Sequence, residues 1–139
     1  MELLNHPPKY KRAMVFGVFD GLHRGHKNFL SQASDICDEL TVVVTLSDIV
    51  KVLKNQSPKN SYEKRVSDIL SFNSNLNVVP GDDTLGAWKV FDTCNPEIIF
   101  LGHDQHGIAK ELEKLSRPFL FLDAHEPGKY KSSLLRTDE

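Results

Sequence analysis

The residues best able to do chemistry lie in VFGVFDGLHRGH, residues 15–26. His23 and His26 are three positions apart, so on the first turn of a helix they share a face. Gly25 stands between them, where a side chain would crowd a ligand. Gly17 and Gly21 permit sharp turning and close backbone approach. A helix starting here offers unpaired N–H groups and the positive end of its dipole, a setting that favours phosphate. Each imidazole can donate a hydrogen bond to a phosphate oxygen. The helix end lowers a histidine pKa and a bound polyphosphate raises it, so the liganded charge state stays open. The same spacing is found among zinc ligands, and His103 and His106 repeat it. No cysteine or carboxylate cluster accompanies either pair, which favours phosphate over metal.

Positioning these groups requires a strand that ends where a helix begins. AMVFGVF, residues 13–19, reads as a strand buried on both faces. From Gly25, Phe29, Leu30, Ala33 and Ile36 recur at helical spacing. LTVVVTL, residues 40–46, is a second buried strand, and the three segments form a βαβ unit. Residues 51–60, with Lys51, Lys54 and Pro58, read as a basic surface loop. Ser61 is the N-cap of a helix carrying Val66, Ile69 and Leu70 inward. NVVP is a short strand, and DTLGAWKVFDTC is predicted to be a helix with Trp88 in packing. EIIFLG, IAKELEKL and FLFL follow as strand, helix and strand. The alternation predicts an open parallel α/β sheet of about five strands with helices on both faces, a Rossmann-like architecture. Ligands of such sheets sit at the carboxyl ends of the strands, where VFDGLHRGH falls.

The whole chain of 139 residues has the length of a single domain, with residues 1–11 extended ahead of it. Its formal net charge of −2 gives no field for duplex nucleic acid or an anionic membrane. Cys37 and Cys94 form neither a disulfide framework nor a CxxC pair, and reduced thiols point to the cytoplasm. MELLNHPPKYKR lacks the apolar core of a signal peptide. No window reaches the roughly 20 apolar residues of a membrane helix.

GVFDGLHRGH resembles the HxGH signature of the nucleotidyltransferase superfamily, which includes cytidylyltransferases, phosphopantetheine adenylyltransferases and FAD synthetases. SYEKR (61–65), FLGHDQ (100–105) and KYKSSLLR (129–136) resemble three further motifs of that superfamily, in the same order. The resemblance implies attack of an acceptor phosphate on the α-phosphorus of a nucleoside triphosphate, with pyrophosphate leaving and no covalent enzyme intermediate. Catalysis is then the positioning of two repelling anions and the stabilisation of charge on phosphorus.

On that resemblance His23, His26 and Lys54 are the catalytic residues. Gly17, Val18, Phe19, Gly25, Asp104, Ser132, Ser133 and Arg136 contact the nucleotide or its phosphates, and Asp20 and Arg65 serve the acceptor. Read without the resemblance, Arg65 pairs with a carboxylate on its own helix, Ser132 and Ser133 cap a helix, and Asp20 organises its loop. Magnesium bridging the phosphates is implied, with no protein metal site. The partners implied are ATP or CTP and a phosphorylated small molecule; a homodimer is left open. GVFDGLHRGH and the later LGHDQ and KYKSS are closest to small archaeal-type FAD synthases, which implies ATP and FMN as substrates. The runner-up is a CTP-dependent enzyme making a CDP-alcohol, for example from glycerol 3-phosphate. HEPGKYKSS lacks the Arg-Thr-x-Gly-Ile lead-in of glycerol-phosphate cytidylyltransferases, and Val18 stands where many members have Thr or Asn. A non-catalytic nucleotide-binding regulatory domain is the alternative from another class.

Overall fold

Strand β1, Tyr10–Gly17, alternates Ala13 and Val15 on one face with Met14 on the other, all buried. A computed structural model of the chain describes residues 10–84 and 86–122. β1 leads into α1, Arg24–Asp35, and back into β2, Cys37–Val44. Then come α2 (Ser47–Lys54), α3 (Tyr62–Phe72), β3 (Asn77–Pro80), α4 (Val90–Thr93), β4 (Ile98–Leu101), α5 (His106–Lys114) and β5 (Phe119–Phe121). All pairings are parallel and the strand order is β3-β2-β1-β4-β5. The order reverses at β1, so the crevice between the ends of β1 and β4 is the topological switch point.

Two apolar clusters cover the two faces. Ala13, Val15, Val42, Val44 and Phe100 meet Leu30 and Ala33 of α1 and Ile69 of α3. Met14, Val43, Ile99 and Leu101 meet Val90 and Phe91 of α4 and Ala109 and Leu112 of α5. This is the period-2 alternation of a sheet buried on both sides. The predicted architecture is therefore present.

Several boundaries differ from the sequence reading. The first strand stops at Gly17, because Phe19 takes a positive φ of 53° and turns the chain away. The segment read as a loop from residue 51 is helical through Lys54; Val50 anchors it in the core, and Asn55 ends it in the left-handed conformation. The helix predicted over DTLGAWKVFDTC shrinks to the single turn of α4. Gly86 and Trp88 both have positive φ and break the helical path ahead of it. Trp88 does pack, stacked on Phe91 with ring centroids 5.5 Å apart.

The two thiols are free and differ in setting. Cys37 Sγ is buried and donates to the Ala33 carbonyl, and burial pushes its pKa to about 11. Cys94 is half-buried just ahead of β4. It lines a cavity of about 330 Å³ with Arg12, Glu39, Thr41 and Asn77, at the amino ends of the strands.

Candidate active site

The turn between β1 and α1 is built by mutual constraint. Phe19 is buried, and its ring lies where a Cβ on residue 17 would be, 2.6 Å from its Cε2. Gly17 is thus fixed by the ring beside it. Gly21 adopts φ 77°, which suits glycine. Asp20 then ties this turn to the loop ahead of α3. Its carboxylate accepts from Lys59 N at 2.7 Å, Asn60 N at 2.9 Å and Asn60 Nδ2 at 2.9 Å. Burial works against the Asp20 charge, but these donors and the nearby Arg65 outweigh it and hold its pKa below the ordinary value.

His23 and His26 together cap α1. His23 is the N-cap, and its Nδ1 accepts from Gly25 N at 3.1 Å and His26 N at 3.4 Å. His26 reciprocates: its Nδ1 accepts from His23 N at 3.3 Å. This is the capping-box arrangement with two imidazoles in place of Ser/Thr and Glu/Gln. A ring nitrogen that accepts carries no proton, so each neutral ring holds its hydrogen on Nε2. The rings stack with centroids 3.7 Å apart and 21° between planes. Two positive charges at that separation would repel. A Cβ on Gly25 would come within 3.1 Å of His23 Cε1, so the glycine leaves room for the cap.

His26 has a lowered pKa. Burial is the main cause, and the neighbouring His23 and Lys54 add to it, while Asp104 and a backbone hydrogen bond with Gly21 oppose it. Lys54, at the end of α2, and Asp104, after β4, are therefore both within electrostatic reach of His26. The structure brings Gly17, Val18, Phe19, Asp20, His23, Gly25, His26, Lys54 and Asp104 to one end of the sheet. Ser132, Ser133 and Arg136 lie outside the described residues. Arg65, expected to contact the acceptor, is wholly buried and hydrogen-bonded to protein oxygens. The reading of Arg65 as one half of an ion pair on its own helix fails too: its hydrogen-bond partners are three carbonyls and a hydroxyl. Among the described residues no three His, Cys, Asp or Glu side chains converge as a metal site.

Four contributors escaped the sequence reading. Gln105 Nε2 donates to Phe16 O at 2.8 Å, and its Oε1 accepts from Gly102 N at 2.9 Å. The β1–β4 register ends at Val15↔Phe100, so the Gln105 amide acts as an extra peptide group that continues the ladder across the switch point. Thr45 donates through both N and Oγ1 to Gly17 O. Ser47 and Asn60 hold Arg65. Only Gln105 had a visible signal, its place in FLGHDQ.

The sequence of residues 14–137 matches the cytidylyltransferase-like family. The chain belongs to that family. It is a nucleotidyltransferase of the HxGH type, and the histidine-capped helix is the structural form of the signature. Among curated relatives, the FAD synthase of Thermococcus sibiricus is 33% identical over 92% of this chain and 88% of its own length. The FAD synthase of Aciduliprofundum boonei is 38% identical over 76% of this chain and 70% of its own. Among solved structures, the lipopolysaccharide core biosynthesis protein of Thermoplasma volcanium superposes with a TM-score of 0.68 at 26% identity, covering 82% of this chain and 95% of that one. No helix among the described residues of this nucleotidyltransferase is long and apolar enough to cross a membrane.

Proposed function

We propose that the chain transfers AMP from ATP to FMN, giving FAD and pyrophosphate. The observation that carries this is its similarity to archaeal FAD synthases across most of both chains, joined to a histidine-capped helix at the switch point. An FMN phosphate oxygen forms a bond to the α-phosphorus of ATP, and the bond from that phosphorus to the β-bridging oxygen breaks. His23 and His26 present Nε2 hydrogens to the phosphates from the mouth of α1, where the dipole also favours negative charge. Lys54 offsets the anionic charge, and Asp20 holds the neighbouring loop in place. The backbone of Gly17, Val18 and Phe19, with Asp104 across the crevice, faces the nucleotide. Ser132, Ser133 and Arg136 complete the phosphate contacts. Magnesium arriving with the triphosphate would supply charge neutralisation, with no protein side chain assigned to hold it. A cytoplasmic location accompanies this reading, since its thiols are free.

The test is direct. Purified protein with magnesium, ATP and FMN is expected to yield FAD, resolved by chromatography with fluorescence detection. Product from CTP and glycerol 3-phosphate, with none from ATP and FMN, would reassign it to CDP-alcohol synthesis. Nucleotide binding without turnover in either mixture would make it a non-catalytic domain.

A further inference from the structure

Arg65 is a charged side chain with 0% exposure, and the groups hydrogen-bonded to its guanidinium are neutral. Nε donates to Asn60 O at 3.2 Å, Nη1 to Val18 O at 3.0 Å and Thr45 O at 2.8 Å, and Nη2 to Ser47 Oγ at 2.9 Å. Burying a guanidinium is costly, and apolar side chains commonly replace buried charges without loss of stability. Burial accordingly lowers the Arg65 pKa, and Asp20 is the main opposing influence. What the guanidinium does that an apolar residue cannot is join three segments. Val18 belongs to the turn that leads to His23. Thr45 follows the last residue of β2, and Ser47 is the first residue of α2, whose last residue is Lys54. Asn60 is the residue that Asp20 grips from the same turn.

We propose that Arg65 is a positioning residue: through Thr45 and Ser47 it sets the base of α2 against the Val18 turn, and so fixes the distance from Lys54 to the histidine pair. This rests on the reading of Lys54 as a phosphate-binding cation, and it adds how that cation is placed. α2 has a single buried residue, Val50, while Lys51, Val52, Leu53 and Lys54 are exposed. Val50 and the half-buried Ile49 hold α2 from one side, and the guanidinium contact at Ser47 adds a second point of attachment at its first turn.

The experiment is a double-mutant cycle in the full chain. Ser47→Ala deletes the contact between the guanidinium and the first residue of α2, and leaves the side chains assigned to substrate unchanged. We expect it to lower kcat by about ten-fold or more, the scale of a small misplacement, with a fall in melting temperature from the guanidinium nitrogen left unpaired. Lys54→Ala is expected to lower kcat at least as much, and the double variant no further than Lys54→Ala alone. Losses that multiply would overturn the proposal, since they would mean that Ser47 acts independently of Lys54. Arg65→Lys, which keeps the charge but loses the fork, is expected to resemble Ser47→Ala. A second readout needs no turnover. His23, Lys54, Asp104 and the Gly21 backbone surround His26, and its titration is followed by NMR without substrate. Lys54→Ala should raise the His26 pKa, Ser47→Ala should shift it the same way, and the double variant should add nothing. An unmoved His26 in either single variant would overturn the coupling, even if FMN proved not to be the acceptor.

Discussion

At the scale of residues, the proposed reading gives the histidine pair two jobs on two edges of each ring. Nδ1 of each caps the helix, and Nε2 would serve the substrate. Replacing His23 or His26 by Ala is expected to cut turnover by roughly 100-fold or more, the loss typical of one transition-state donor. Asn at position 23 is expected to restore stability but not rate, because Asn is a good N-cap and its amide cannot present the same donor. Steady-state kinetics alongside thermal melts separate the two effects. The pair was legible in the sequence because glycine and histidine at that spacing have few common structural uses. Arg65 was legible only as a motif member: its charge suggested a substrate, and nothing in a linear sequence says that a charge is buried. Thr45 and Ser47 are ordinary residues of the β2–α2 junction, and only the fold shows what they touch.

Among elements, the connection between α2 and α3 is two segments with different restraints. Asn55, Gln56 and Ser57 are exposed, whereas the N–H groups of Lys59 and Asn60 are held by Asp20. Amide exchange should be fast at 55–57 and slower at 59 and 60 in the free protein. Asp20→Ala should erase that difference; slow exchange at Lys59 and Asn60 in this variant would show that another group orders the loop. The basic, polar composition of residues 51–60 concealed the last turn of α2, because its only inward residue, Val50, lies just before that stretch. The helix expected around Trp88 failed for a related reason. An aromatic and apolar pattern was present, but the backbone there uses positive φ at Gly86 and Trp88. Periodicity does not report φ.

The molecule as a whole should lose stability in acid in two stages. His26 has a folded pKa below the ordinary 6.5, so the unfolded chain binds its proton first. Its contribution is complete above that value and declines as pH falls toward the folded pKa. Asp20 follows the same sign lower down: its contribution is present above the ordinary 3.8 and is lost as pH falls through its depressed folded value. Chemical denaturation across the acid range should show both declines. His26→Gln should remove the first alone, since Gln at that position still completes a capping box. The layering and the parallel sense of the strands were the most legible features of all. Alternating apolar runs and short connections leave few ways to bury both faces of β1, and the parallel arrangement follows from them.

The unequal settings of Cys37 and Cys94 give the protein a built-in gauge of its own opening. They are the two cysteines of the chain. Cys94 is half-buried at the end of the sheet away from the cleft, so a mild alkylating reagent is expected to modify it ahead of the buried Cys37. Cys37 reacts only when the α1–β2 junction comes apart, so the second mass increment counts unfolding events one molecule at a time. Ligands that bind the native state slow that second increment, and intact-mass spectrometry can then rank candidate nucleotides and acceptors without any assay of turnover.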